Sequence, residues 1–118
     1  MPSVRIKRAY VEAEPDDGLR VLIDRLWPRG VTKERAHVDL WLKDIAPSPA
    51  LRAWFAHESE RYDEFRARYQ IELEAEPGRT ALEKLRAMAE QQMVTLVYAA
   101  RDGDHCNAGA LRDLLASL

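Results

Sequence analysis

Two stretches of this chain are apolar almost without interruption, Leu19-Arg-Val-Leu-Ile23 and Val94-Thr-Leu-Val-Tyr-Ala-Ala100. Short apolar runs rich in Val and Ile read as strands covered on both faces, as in the middle of a parallel sheet. Each run ends abruptly in charge. Asp24-Arg25-Leu26-Trp27-Pro28-Arg29-Gly30 follows the first, and Arg101-Asp102-Gly103-Asp104-His105-Cys106-Asn107 follows the second. A long helical insertion lies between them, and parallel neighbours require such a crossover. The pattern predicts two parallel strands whose following loops open at the same end of a sheet, where α/β proteins place their ligands.

The remaining elements follow from local signals. Val4, Ile6 and Tyr10 alternate with Arg5 and Lys7, which predicts a half-buried strand over 3–11. Pro15-Asp-Asp-Gly18 is turn chemistry leading into the strand over 19–24. Thr32 caps a short helical turn, and 38–42 suits either a short strand or a helical turn. Ser48-Pro49 starts a helix whose inner face is Leu51, Trp54 and Phe55. Ser59 opens the next, with Tyr62, Phe65, Tyr69 and Leu73 at helical spacing and Pro77-Gly78 as its stop. Thr80-Ala-Leu-Glu83 has the capping-box pattern for a helix with the stripe Leu82, Leu85, Met88 and Ala89. Asn107 is placed to cap a last helix whose inner face is Leu111, Leu114, Leu115 and Leu118.

Composition narrows the class. With 118 residues, 47% hydrophobic and 32% charged, the chain is expected to form one α/β domain over 1–118, with a small, largely parallel central sheet and flanking helices. A net charge of -2 and a helix over 58–76 crowded with acidic residues argue against a nucleic-acid partner. No run reaches the length of a membrane span, and no apolar segment follows Arg5, Lys7 and Arg8 as in a signal peptide. With one cysteine, these points favour the cytoplasm.

Three constellations can carry chemistry. In the first, Arg25, Arg29 and Arg101 stand beside the two strand ends, with Lys43 nearby in sequence terms and Trp27 offering a flat face. Arginine forks match phosphate and carboxylate geometry. The competing reading is internal ion pairing of Arg25 or Arg101 with Asp24, Asp44 or Asp102. In the second, Cys106 is a nucleophile beside His105 and Arg101, but Asp102 and Asp104 oppose a thiolate there. In the third, His57, His105, Cys106, Asp102 and Asp104 supply metal-ligand types, although no C-x-x-C or H-x-x-x-H spacing organises them, so no metal ligand is assigned. Neither a Walker pattern nor G-x-G-x-x-G is present, and no cofactor is implied. His37 sits in a polar turn and is expected in solvent.

The string Gly18-Leu-Arg-Val-Leu-Ile-Asp-Arg-Leu-Trp-Pro-Arg-Gly-Val-Thr-Lys33 resembles the signature of the DUF488 family, in its short YeaO-like members. So do Trp41-Leu-Lys-Asp-Ile-Ala-Pro-Ser48, Leu51-Arg-x-Trp-Phe-x-His57, Phe65-Arg-x-Arg-Tyr69 and Thr95-Leu-Val-Tyr-Ala-Ala-Arg-Asp102. The resemblance covers essentially the whole chain. It implies a small bacterial or archaeal α/β protein without an assigned reaction. It also implies that Arg25, Trp27, Pro28, Arg29, Lys43, Asp44, His57, Arg101, Asp102 and His105 belong together, and eight of them, all but Pro28 and Asp44, are the candidate site residues. In the family pattern an asparagine follows the histidine, whereas here Cys106 does, which argues against a shared thiol mechanism.

The expectation is thus a protein that binds a small phosphate- or carboxylate-bearing ligand. Arg25, Arg29, Lys43 and Arg101 would clamp the acid and Trp27 would pack on its body. If chemistry occurs, as in a hydrolase or transferase, His105 or His57 would move the proton and Asp102 would orient its partner. The alternatives are an interaction or regulatory module whose arginines are structural, and a metal-dependent enzyme using the His and Asp groups. Oligomeric state is not legible.

Overall fold

The apolar runs build the middle of the sheet. A computed structural model of the chain describes residues 3–118. Strands β1 (Val4–Arg8), β2 (Leu19–Leu22), β3 (Leu40–Trp41) and β4 (Val94–Tyr98) form one parallel sheet in the order β1-β4-β2-β3. The last strand therefore enters between the first two, with Leu96 opposite both Ile6 and Val21. All of β4 is buried, as a central strand should be. The strand expected over 3–11 is shorter because the chain turns at Ala9 and Tyr10, just where the Ala9 N–H makes a last bond to the Tyr98 carbonyl at 2.7 Å.

The helices are α1 (Lys33–Ala36), α2 (Pro49–Phe55), α3 (Tyr62–Glu72), α4 (Gly78–Gln91) and α5 (Asn107–Ser117). They cover the sheet unequally. On one face Val21, Ile23, Leu96 and Tyr98 meet Phe55, Phe65, Tyr69, Leu85, Leu111 and Leu115 in the main core. On the other face, Leu22, Val97 and Ala9 are covered by Trp27, Val31, Val38 and Trp41. Leu118, expected inside, is 48% exposed because α5 has already left the core at Leu115.

Three local signals behave as read. Thr32 accepts the Arg35 N–H and Ser48 accepts the Leu51 N–H, each at a helix start. Tyr62, Phe65, Tyr69 and Leu73 are all buried. Segment 38–42 takes the strand alternative, as β3, and a 3-10 turn over Lys43–Ile45 follows it.

Two signals are corrected. Pro77-Gly78 opens α4 rather than only ending α3, which finishes at Glu72. Thr80 thus lies inside the first turn, and the cap is the Glu76 carboxylate, which accepts from Thr80 N at 3.0 Å and Thr80 Oγ1 at 2.9 Å. Asn107 is not the cap of α5; Cys106 holds that position. The Asn107 amide instead reaches across to Asp24.

At the end of the sheet where the strands begin, Asp17 is fully buried and ties the N-terminal strands together. Its carboxylate takes Arg20 Nη1 at 2.7 Å, Lys7 Nζ at 3.0 Å and the Glu14 N–H at 3.0 Å. The structural arginine of this fold is therefore Arg20.

Candidate functional site

At the opposite end, β2 and β4 finish side by side. The chain diverges there, and a cavity of about 220 Å³ opens between the loop after β2, the loop after β4, helix α2 and the start of α5. This is the crevice expected outside the carboxyl ends of parallel strands.

Asp24 lies at its base. Its Oδ2 accepts the Ala99 N–H at 2.9 Å and its Oδ1 accepts Asn107 Nδ2 at 3.0 Å. It therefore joins the end of β4 to the beginning of α5. Burial, offset in part by these two donors, pushes its pKa above the ordinary aspartate value. The Asp24 carbonyl also receives Trp41 Nε1 at 2.8 Å, fixing the backbone where the strand ends.

Cations line the mouth. Arg25 turns its Nη2 to the carbonyls of Ala46 and Pro47, at 3.4 Å and 3.3 Å. Arg52 projects from α2, and His57 follows two residues after that helix ends. Ala56 and His57 both take left-handed backbone, at φ 47 and 58, and this tight reversal carries the imidazole round to the cleft. Among the described residues, none of Arg25, Arg52 and His57 has a carboxylate within ion-pair distance. The wall is apolar: Phe55 and Phe65 stack with centroids 4.3 Å apart, and Pro47 and Cys106 complete it.

The structure separates the other residues expected here. Trp27 packs on the opposite face of the sheet, edge-on to Trp41 at 5.5 Å, and its Nε1 donates to the Val31 carbonyl at 2.6 Å. Lys43 sits 4.0 Å from the centre of the Trp41 ring. Arg29 and Arg101 are exposed, and only the Arg29 carbonyl is engaged, by the Tyr10 hydroxyl at 3.0 Å. Of the eight residues, the cleft receives Arg25 and His57.

Asp102 and His105 form a pair of their own in the turn after β4. His105 Nδ1 lies 2.8 Å from Asp102 Oδ2, and Asp102 Oδ1 accepts the N–H groups of Asp104 and His105. The His105 bond, more than anything else, holds the Asp102 carboxyl below its ordinary value. The imidazole rests edge-on against Tyr62 at 5.1 Å, behind the aromatic cluster rather than in the cleft. Burial pushes the Tyr62 hydroxyl up to about 12.

Cys106 is 2% exposed, and burial pushes its thiol up, the opposite of an activated nucleophile. The metal-ligand types in these loops do not converge. The three carboxylates that do approach one another are Glu14, Asp16 and Asp17, at the far end of the sheet and already engaged by Lys7, Arg5 and Arg20.

Asp24, Arg52 and Asn107 emerge as cleft residues that sequence reasoning assigned elsewhere. Sequence alone makes Asp24 an ion-pair partner and Asn107 a cap, and gives Arg52 no role beyond its place in a family motif. The string Leu51-Arg52-x-Trp54-Phe55-x-His57 held the signal for Arg52, since it places the arginine and histidine on one short helix-turn unit.

Residues 3–118 match a family model described as "Inactive DUF488-N3 subclade". The chain belongs to the DUF488 family. This DUF488 chain is 46% identical over 112 residues to the uncharacterized protein Rv3073c of Mycobacterium tuberculosis (strain ATCC 25618 / H37Rv), covering 95% of this chain and 92% of that protein. It is 40% identical over 118 residues to the uncharacterized protein YeaO of Escherichia coli (strain K12), covering 98% and 99% respectively. No solved structure matches it. No helix is long and apolar enough to cross a membrane among its described residues.

Proposed function

We propose that this protein is a binding module for a small anionic metabolite, phosphate- or carboxylate-bearing, held in the cleft at the ends of β2 and β4. One observation carries the reading: Arg25, Arg52 and His57 line a single cavity and, among the described residues, have no carboxylate partner at ion-pair distance. Guanidinium forks are suited to two-point contact with an oxyanion. Arg25 is already held by two carbonyls, so little side-chain freedom is lost on binding. The stacked Phe55 and Phe65 would receive a compact apolar body. The "inactive" description of the matching family model favours binding without turnover.

The test is a thermal-shift and calorimetric screen of dialysed protein against phosphate, sulfate, carboxylates, sugar phosphates and nucleotides, with Arg25→Gln/Arg52→Gln in parallel. A ligand at about a hundred times its Kd is expected to add about 2.7 kcal/mol of stability in the native chain. The double variant should fold normally and show no shift. Shifts that survive in the variant, or none for any anion, would overturn the proposal.

A hydrolase or transferase reading has one observation in its favour, the 2.8 Å His105–Asp102 pair, which would fix a tautomer for proton transfer. It predicts turnover of phosphate or carboxylate esters that falls about a hundredfold or more in His105→Ala, the lower end of what acid-base catalysis supplies.

A further inference from the structure

We infer that the ligand of this cleft is a hydroxy or amino acid in the broad sense, an acid group and a hydrogen-bond donor on one small body, with Asp24 as acceptor for the donor. The inference rests on the anion-binding reading and narrows it. Among the described residues, Asp24 is the one carboxylate lining the cavity, and it stands with two guanidinium groups and an imidazole without an ion pair to any of them. Its two bonds, from Ala99 N and Asn107 Nδ2, fill one position on each oxygen. A carboxylate has about four acceptor positions, so two remain for a group inside the cleft.

A bare anion drawn to Arg25 and Arg52 would lie beside this negative charge and be opposed by it. A ligand that also presents N–H or O–H replaces that repulsion with a charge-assisted hydrogen bond. Burial pushes the Asp24 pKa above the ordinary aspartate value, and its two hydrogen bonds offset this only in part.

Matched probes separate the two parts of the claim. Propionate is compared with lactate and alanine, and n-propyl phosphate with glycerol 1-phosphate, by calorimetric titration at neutral pH. The donor-bearing member of at least one series is expected to bind about tenfold or more tighter. The series that binds identifies the acid as carboxylate or phosphate. Asp24→Asn should tighten the plain anions and loosen the donor-bearing ones, a crossing of signs that a merely structural residue would not produce. Arg52→Gln should weaken both members alike.

Equal affinity within each pair, unchanged in ratio by Asp24→Asn, overturns this inference and leaves the anion site standing. Failure of every probe and every other anion to bind overturns both. Should Asp24→Asn not fold, the ratio within each pair in the native chain decides.

Discussion

Two aspartates at opposite ends of the sheet, Asp17 buried and Asp24 half-buried, respond to acid in opposite ways. Burial would raise Asp17, but the Glu14 N–H, Lys7 and Arg20 outweigh it and hold the carboxyl below its ordinary value of 3.8. Its contribution is complete above that unfolded value and disappears as pH falls through the depressed folded one. Asp24 lies above its ordinary value, so the folded chain holds the proton more tightly than the unfolded one. Its ionisation therefore erodes stability as pH rises from the unfolded value through the raised folded one. Asp17→Ala leaves Arg20, 3% exposed, without a counter-charge. A loss of about 3–5 kcal/mol in urea titrations at neutral pH is expected. The deficit should shrink on acidification below the ordinary carboxylate range, because the native chain then loses the same charge. A deficit that stays constant through that range would mean the ion pairs contribute little.

Among the elements, the turn carrying His105 and the start of α5 meet at a tight junction. A Cβ on Gly109 would stand 2.6 Å from the Gly103 carbonyl oxygen and 3.0 Å from that of Asp104, both backbone atoms that cannot step aside. Gly109→Ala should lift the turn from the helix and cost about 1–3 kcal/mol by overpacking. The Cys106 thiol, bonded to the Gly103 carbonyl at 3.5 Å, should then react faster with a thiol reagent in the folded protein. Unchanged reactivity and melting would show that the turn absorbs the methyl group.

Elements of this kind also divide what the sequence could reveal from what it could not. Strands 19–23 and 94–98 were legible because burial on both faces leaves an unbroken apolar run. Caps were less so: Thr80 carries the right residue type, but Glu76 ahead of Pro77 supplies the carboxylate. Asn107 lost its capping role to a partner eighty-three positions away in Asp24, a pairing no local pattern contains. Trp27 illustrates the limit for the site. An indole in an arginine-rich loop suits a ligand face or a core equally, and only the placement of Trp41 decides for the core.

The molecule as a whole depends on a strand that comes late. β1 pairs with β4 alone, and β2 pairs with β4 and a two-residue β3, so no ladder joins β1 to β2 directly. A chain ending at Gln92 is expected to show helical dichroism without a cooperative melting transition, and a sharp transition in that fragment would refute the dependence. Pairings of such long sequence separation also place folding toward the slow end for this size. The order of synthesis gives the same topology a further meaning. A ribosome delivers β1, β2 and α1 to α4 before the segment that unites them. Until β4 emerges the apolar faces meant for it have no strand to close on, so the nascent chain must be shielded or kept from its neighbours over that interval. For this protein, the first two strands are made long before they can be joined.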